Sequence, residues 1–206
     1  AMEGPEGYRL TNTMKTREQM GGGWAFDWET FQMVYVPIQI TTPLYGNEGF
    51  MQWKHRFPSD EVVTNSWGYS SYNNFRWMRY AEVLLLAAEA CLLSGDQASA
   101  LNYINKVRAR AQLEPLGSLT LEDIKKEKRL ELCFECTRYQ DLVRWGDAAS
   151  VLAQQGKIIP ALHNDGKVTV AVTNTDFGFK SGKHELLPFP EHEMNVNKNL
   201  VQNPGW

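Results

Sequence analysis

Glu127, Glu131 and Glu135 lie four residues apart, so on one continuous helix they share a face. Glu82 and Glu89, seven apart, do the same one segment earlier. Paired carboxylates are what a glycosidase uses as acid and base. The structural alternative starts from Arg108, Arg110, Arg129 and Arg138, which stand where they can bridge neighbouring helices. A carboxylate taken near a core needs a cationic partner. Interhelical ion pairs are therefore the expectation, with at least one of Glu82 and Glu89 meeting one of these arginines.

Cys133 and Cys136 form a C-x-x-C, the spacing of redox and zinc sites. Here it falls inside an expected helix, where no free amides lower a thiol pKa. No second cysteine pair completes a zinc site, and with Cys91 the total is three, so no full internal disulfide framework exists. Small, buried, apolar roles are expected for the cysteines. His55, His163, His184 and His192 have no ligand spacing. Gly21-Gly22-Gly23 lacks the Lys-Ser or Lys-Thr of a phosphate loop, and no G-x-S-x-G is present. The residues thus call for no cofactor and no metal, and nucleophilic catalysis has no anchor.

Aromatic residues carry the other candidate chemistry. Seven Trp, eight Tyr and nine Phe make 12% of the chain. Most such rings pack, but Trp and Tyr also present flat faces on which the C–H faces of sugars lie. Trp24, Trp28, Trp53, Trp67, Tyr69 and Tyr72 all fall in the Gly- and Ser-rich first third. Of these, Trp24, Trp28, Trp67, Tyr69 and Tyr72 are the candidate ligand-binding residues, since sugar sites combine stacking with nearby polar groups. Trp77, Tyr80 and Trp145, in helical sequence, are assigned to the core.

These residues need elements to hold them. In 206 residues, 43% are hydrophobic and 22% charged, as in an ordinary globular protein. The formal charge is −3 and no basic stripe exists to neutralise phosphates, which argues against nucleic acid. The apolar run from Val83 to Leu93 is broken by Glu89 and is too short to span a bilayer. Residues 1–75 are rich in Gly, Pro, Thr and aromatics and read as a loop-rich segment with little regular structure. Val34 to Ile40 has strand-like content, which Pro37 confines to an edge or extended loop.

From residue 76 the pattern turns helical. Tyr80, Leu84, Ala87 and Cys91 form one apolar row and Ala81, Leu85, Ala88 and Leu92 another, which predicts a helix near 76–94 buried on more than one side. Gly95 is placed to end it and Asp96 to cap a second helix near 97–112. That second helix has Ala100, Ile104, Val107 and Ala111 on one face. Together the two have the size of a tetratricopeptide hairpin. Thr120 and Asp123 resemble a capping box before a single long helix near 121–145, ended by Gly146. A short helix over 147–155 follows, then strands at 167–172 and 184–187, and a turn or short helix at 191–196.

Several segments together resemble the SusD/RagB family. They are Arg79-Tyr80-Ala81-Glu82-Val83-Leu84-Leu85, Ile104-Asn105-Lys106-Val107-Arg108-Ala109-Arg110, Lys128-Arg129-Leu130-Glu131-Leu132, Arg138 to Gly146, Leu186-Leu187-Pro188-Phe189-Pro190 and the closing Gln202-Asn203-Pro204-Gly205-Trp206. Each is weak alone, but they come in order over residues 76–206. Tyr45 to Arg56 resembles the segment before the helices in some members. Cys133 and Cys136 stand where small residues, often Ala and Gly, are usual, and Phe189 where an aliphatic is common.

The resemblance implies a mainly α fold, with tetratricopeptide-like helical hairpins, long irregular loops and a small C-terminal β element. Residues 1–75 would pack on a C-terminal helical domain at 76–206. It further implies a surface lipoprotein of the bacterial outer membrane that binds oligosaccharide or polysaccharide without catalysis. Such a protein delivers its ligand to a TonB-dependent SusC-like transporter. Its only tie to the membrane is an N-terminal lipid anchor, and this chain corresponds to the C-terminal part of longer members. A protein-binding helical-repeat adaptor and a glycoside hydrolase are the alternatives. Helical repeats bury their faces by stacking, so apolar surface on the first helix is expected to stay open or to drive self-association. In the whole protein the N-terminal helices are expected to cover part of the first helix or of residues 1–75, and the glycan site is expected at that junction.

Overall fold

The computed structural model describes residues 7–16, 23–27, 29–36, 50–55, 62–65, 68–71, 76–162, 168–174 and 176–206. They belong to two compact units, 1–136 and 137–206. The fold class is mainly α, with strands present as two-stranded antiparallel pairs.

The first unit is built on two helices, α2 (Tyr80–Leu93) and α3 (Gln97–Arg110). Ala81, Ala88 and Ala100 let their backbones approach, and Leu84, Leu85, Ile104 and Val107 fill the seam. Ile124 of α4 (Leu121–Glu131), with Leu119 and Leu132 at its ends, closes the same core. Leu85, Ala88, Ala100, Ile104 and Ile124 are fully buried. Burying a Leu or Ile side chain contributes about 1.5–3 kcal/mol, so this cluster is the main cohesive term of the unit.

Local sequence sets the helix ends. Asp96 caps α3 by accepting from the Ser99 amide at 3.0 Å. Thr120 and Asp123 form the reciprocal capping box of α4, with Thr120 N donating to Asp123 Oδ2 at 2.9 Å and Asp123 N to Thr120 Oγ1 at 3.3 Å. After α2 the Asp96 amide reaches Cys91 O at 2.8 Å and the Gly95 amide reaches Leu92 O at 3.1 Å. This Schellman closure requires left-handed backbone, and Gly95 has φ +88°. The same closure after α3 places a left-handed Gln112, φ +58°, before Leu113, whose amide bonds to Arg108 O at 3.0 Å. The loop that follows is pinned to α3. Asn105 pairs with both backbone groups of Leu116, at 2.8 and 3.0 Å, and Arg108 Nε donates to Glu114 O at 2.9 Å.

The expected single helix over 121–145 is two helices. α4 ends at Glu131 and α5 (Arg138–Arg144) starts seven residues later. Between them Phe134 and Cys136 adopt left-handed backbone, φ +67° and +61°. The carbonyls released by the break find side chains. Arg79 Nη2 donates to Glu131 O at 3.2 Å, and Lys54 Nζ donates to Glu131 O and, at 3.3 Å, to Cys133 O. The C-x-x-C therefore lies on a turn rather than inside a helix, and Cys136 is exposed rather than buried.

The first third also holds more regular structure than its composition suggests. It contains α1 (Gly7–Thr13), β1 (Met14–Thr16), β2 (Gly23–Asp27), β3 (Gln32–Val36), β4 (Phe50–Gln52), β5 (Val62–Asn65) and β6 (Gly68–Ser71). They pair β1 with β4, β2 with β3 and β5 with β6. These strands are three to five residues long, too short for a period of two to stand out in sequence. The extended run that begins at Val34 stops at Val36 as strand; its remainder, from Pro37, lies outside the described residues.

The second unit contains α5, α6 (Ala148–Leu152), the hairpin of β7 (Ile158–Leu162) and β8 (Val168–Thr173), and α7 (Glu191–Val196). A register shift at Ile159/Pro160 accommodates the proline, which has no amide for the ladder. Residues 184–187 do not form the expected strand. They are held by the chain's last residues instead. Gln202 pairs with both backbone groups of Phe189, at 2.8 and 3.1 Å, and Asn203 Nδ2 donates to Leu187 O at 2.6 Å. Trp206 Nε1 donates to Lys183 O and Leu186 O at 3.0 and 3.1 Å. A Cβ on Gly205 would fall 2.8 Å from Lys183 Cβ, so the closing turn admits only glycine.

Two aromatic residues assigned to the core lie at the surface: Trp77 is 88% and Tyr80 71% exposed. Tyr80 begins a row with Val83, Leu86 and Leu93 that lies on the exposed side of α2. The row Ala81–Leu85–Ala88 is the one that faces the core, so α2 keeps open apolar surface.

The two left-handed helix closures give a paired test. A Cβ on Gly95 meets nothing within 4 Å, so Gly95→Ala should cost only the backbone term, about 1–2 kcal/mol. Gln112→Gly relieves the same term but loosens the unfolded chain, and should range from neutral to about 1 kcal/mol stabilising. Urea unfolding of both variants checks the opposite signs.

Candidate functional site

Glu127 and Glu131 project from one face of α4, and the turn after the helix brings Glu135 beside them. Cations converge on these carboxylates from distant parts of the chain. Arg9 of α1 binds Glu127 and, at 3.3 Å, Glu131 Oε2. Arg79, just before α2, donates to Glu131 Oε1 at 3.0 Å and grips both oxygens of Glu135 at 2.6 and 2.8 Å. Arg108 of α3 holds Glu127 Oε2 at 3.0 Å, Arg110 holds Glu131 Oε1, and Lys54 pairs with Glu135. Glu127, Glu131 and Arg9 are buried, at 3%, 1% and 5% exposure. Such charges are tolerated only because each is matched.

Interhelical ion pairs form at Glu127 with Arg108 and at Glu131 with Arg110; these pairs do not bear on the expected contact of Glu82 or Glu89 with one of the arginines. Arg9, Lys54 and Arg79 are not among the residues expected to bridge. Arg9 and Lys54 come from the loop-rich third, where no helical period flags a partner.

The hydrolase alternative requires a carboxyl kept protonated by a raised pKa. Glu135 goes the other way. Burial favours its neutral form, but the hydrogen bonds from Arg79 and Lys54 outweigh burial and hold it below the ordinary 4.5. The Lys54 ammonium is pushed below its usual value by burial, against the pull of Glu135. Glu131 Oε1 accepts from Arg79 and Arg110, and Oε2 lies 3.3 Å from Arg9 Nε without a hydrogen bond, so both oxygens face guanidinium charge, which favours the ionised carboxylate. Burial likewise raises the Cys133 thiol, which disfavours the reactive thiolate.

A cleft of about 230 Å³ opens beside this cluster. Arg9, Lys54, Arg79, Glu131 and Glu135 form part of its lining, and Tyr8, Asn12, Thr13, His55, Arg76 and Arg110 add to its polar wall. In the second unit the rings of Tyr139, Phe179, His184 and Trp206 follow one another with centroids 6.3, 5.7 and 5.6 Å apart. Lys183 Nζ lies 4.1 Å over Trp206. This row comes from parts of the chain separated by tens of residues, so spacing alone gave no signal for it.

The five candidate stacking residues divide as follows. Trp24 lies on β2, its Cα opposite Tyr35, and Tyr69 on β6, opposite Thr64. Trp28, Trp67 and Tyr72 lie outside the described residues. Trp53 carries Lys15 over its ring at 4.2 Å. Among the described residues no group of His, Cys, Asp and Glu is placed to hold a metal ion.

The helical core of the first unit and the β-hairpin of the second find a match in one family. The SusD family model matches residues 10–206, and the chain belongs to that family. The SusD-like protein P2 of Formosa agariphila is 31% identical over 153 residues, covering 68% of this chain and 27% of P2. The surface glycan-binding protein A of Bacteroides thetaiotaomicron superposes with a TM-score of 0.61 at 29% identity, covering 95% of this chain and 37% of its own. A laminarin-binding SusD-like protein superposes with the same score at 28% identity, over 97% of this chain and 35% of its own. The chain therefore spans about a quarter to two-fifths of the length of these relatives.

The ion-pair cluster has a pH signature. The folded-state pKa of Glu135 lies below its unfolded value, so its contribution is complete above about 4.5 and is lost as pH falls through the lower folded value. Glu135→Gln should lower stability at neutral pH by about 1.5–3 kcal/mol, the range for hydrogen bonds to a charged group. The variant should also lose less stability than the parent on further acidification. Thermal melts between neutral pH and about pH 3 distinguish this from a pH-independent loss.

Proposed function

We propose that the chain is part of a non-catalytic glycan-binding protein at the bacterial outer-membrane surface, which passes its ligand to a TonB-dependent SusC-like transporter. The observation that carries the reading is the family match over residues 10–206, joined to superposition over nearly the whole chain on proteins that bind glycans. Attachment through an N-terminal lipid agrees with the helices, since among the described residues none is long and apolar enough to cross a membrane. The absence of catalysis is supported by the cationic saturation of Glu131 and Glu135.

Trp24, Trp28, Trp67, Tyr69 and Tyr72 are proposed to supply stacking faces, in company with the segment that precedes this chain in longer relatives. Base–aromatic stacking gives a scale of about 1–3 kcal/mol per ring. Trp67→Ala with Tyr69→Ala should then weaken binding by roughly tenfold or more. Affinity gels containing laminarin and other neutral polysaccharides, followed by calorimetry, provide the test. Undiminished retention of the double variant would remove these rings from the site, and product release from any polysaccharide would overturn the non-catalytic reading.

A further inference from the structure

The cleft beside the ion-pair cluster has an imbalance of charge. Its wall contains the cations Arg9, Lys54, Arg76, Arg79 and Arg110 but only the carboxylates Glu131 and Glu135. Both carboxylates are already engaged. Glu131 accepts from Arg79 and Arg110 and faces Arg9, and Glu135 accepts from Arg79 and Lys54. The donors are not exhausted. Arg76 makes no ion pair among the described residues, and the Arg110 side chain, 61% exposed, spends one nitrogen on Glu131. A guanidinium presents five N–H groups, so several at this opening have no acceptor among the described residues. The cleft is below the ~300 Å³ of a drug-sized site, which suits one residue of a polymer rather than an oligomer enclosed whole. Tyr8, 49% exposed, belongs to the same wall and supplies an aromatic ring with a hydroxyl.

We propose that this cleft is an oxyanion subsite that takes an acidic sugar residue, its carboxylate or sulfate ester held by Arg76 and Arg110. Two guanidinium groups at one opening suit an oxyanion because the planar fork matches its paired oxygens. Lys54 and Arg79 lie deeper and hold the field positive while the carboxylates absorb their direct hydrogen bonds. The proposal rests on the glycan-binding reading and narrows it to a glycan that carries negative charge.

The test titrates the 206-residue chain by calorimetry with trigalacturonate, with neutral galactotriose and with inorganic sulfate, at low and at moderate salt. Trigalacturonate should bind, weaken several-fold between about 50 and 300 mM salt, and compete with sulfate. Arg76→Ala should reduce trigalacturonate affinity about tenfold while leaving the melting temperature unchanged, since Arg76 makes no ion pair among the described residues. Arg76→Lys should recover part of the loss, because charge remains without the fork. Equal affinity for galactotriose and trigalacturonate overturns the oxyanion subsite but leaves glycan binding intact. Sulfate binding without trigalacturonate binding overturns the saccharide assignment. Absence of both anions from the parent chain, or an Arg76→Ala variant that binds as the parent does, overturns the proposal outright.

Discussion

The first unit depends on the desolvated carboxylates of Glu127, Glu131 and Glu135. Taking a carboxylate out of water costs several kcal/mol, and Glu131 is 1% exposed. The cost is offset only if cations arrive with the right geometry. They arrive from α1 (Arg9), the β4 end (Lys54), the start of α2 (Arg79) and the last turns of α3 (Arg108, Arg110). An apolar core of alanines and leucines accepts many near-equivalent packings, whereas this cluster accepts few. Its role is thus to fix which segments meet, more than to add net stability. Arg9 and Lys54 tie α1 and the segment after β4 to the helices through Glu127, Glu131 and Glu135.

The break after α4 follows from the same cluster. Residues 132–137 contain no glycine or proline, so no strong helix breaker lies among them. On a continuous helix the carbonyls of Glu131 and Cys133 would be used within the helix itself. Instead they accept from Lys54 and Arg79, and Glu135 swings back to receive the Arg79 fork. Tertiary hydrogen bonds to charged donors outcompete backbone ladder bonds that contribute about 1 kcal/mol each. This is a case in which local sequence points one way and a distant lysine decides.

What could be read from sequence was what local chemistry controls. Asp96, Thr120 with Asp123, Gly95 and Gly146 mark helix ends because each acts on backbone within a few residues. The Ala81–Leu85–Ala88 row was legible because the period of 3.6 repeats across the helix. The short paired strands, the cationic partners of the carboxylates and the clamp formed by Gln202, Asn203 and Trp206 were not, because each joins residues with no shared period. For the clamp, the closing five residues stood out in sequence only as part of the family resemblance. The structure supplies the reason, since they satisfy the backbone of 183–189 in place of a strand partner.

The two departures of the C-x-x-C from the usual small residues gain meaning from this turn. Cys136 has φ +61°, a region in which a side chain costs about 1–2 kcal/mol and glycine costs nothing. Glycine is therefore the economical residue at that position, and its replacement here leaves a strained backbone that the neighbouring contacts must hold. Those contacts include Arg79, which binds Glu131 and Glu135 on the α4 side of the turn, and Lys54, which spans the carbonyls of Glu131 and Cys133. The boundary between the two compact units falls directly after Cys136. The charged cluster beside the cleft and the strained turn are therefore linked, because the cations that line the pocket also hold the turn at which α4 stops.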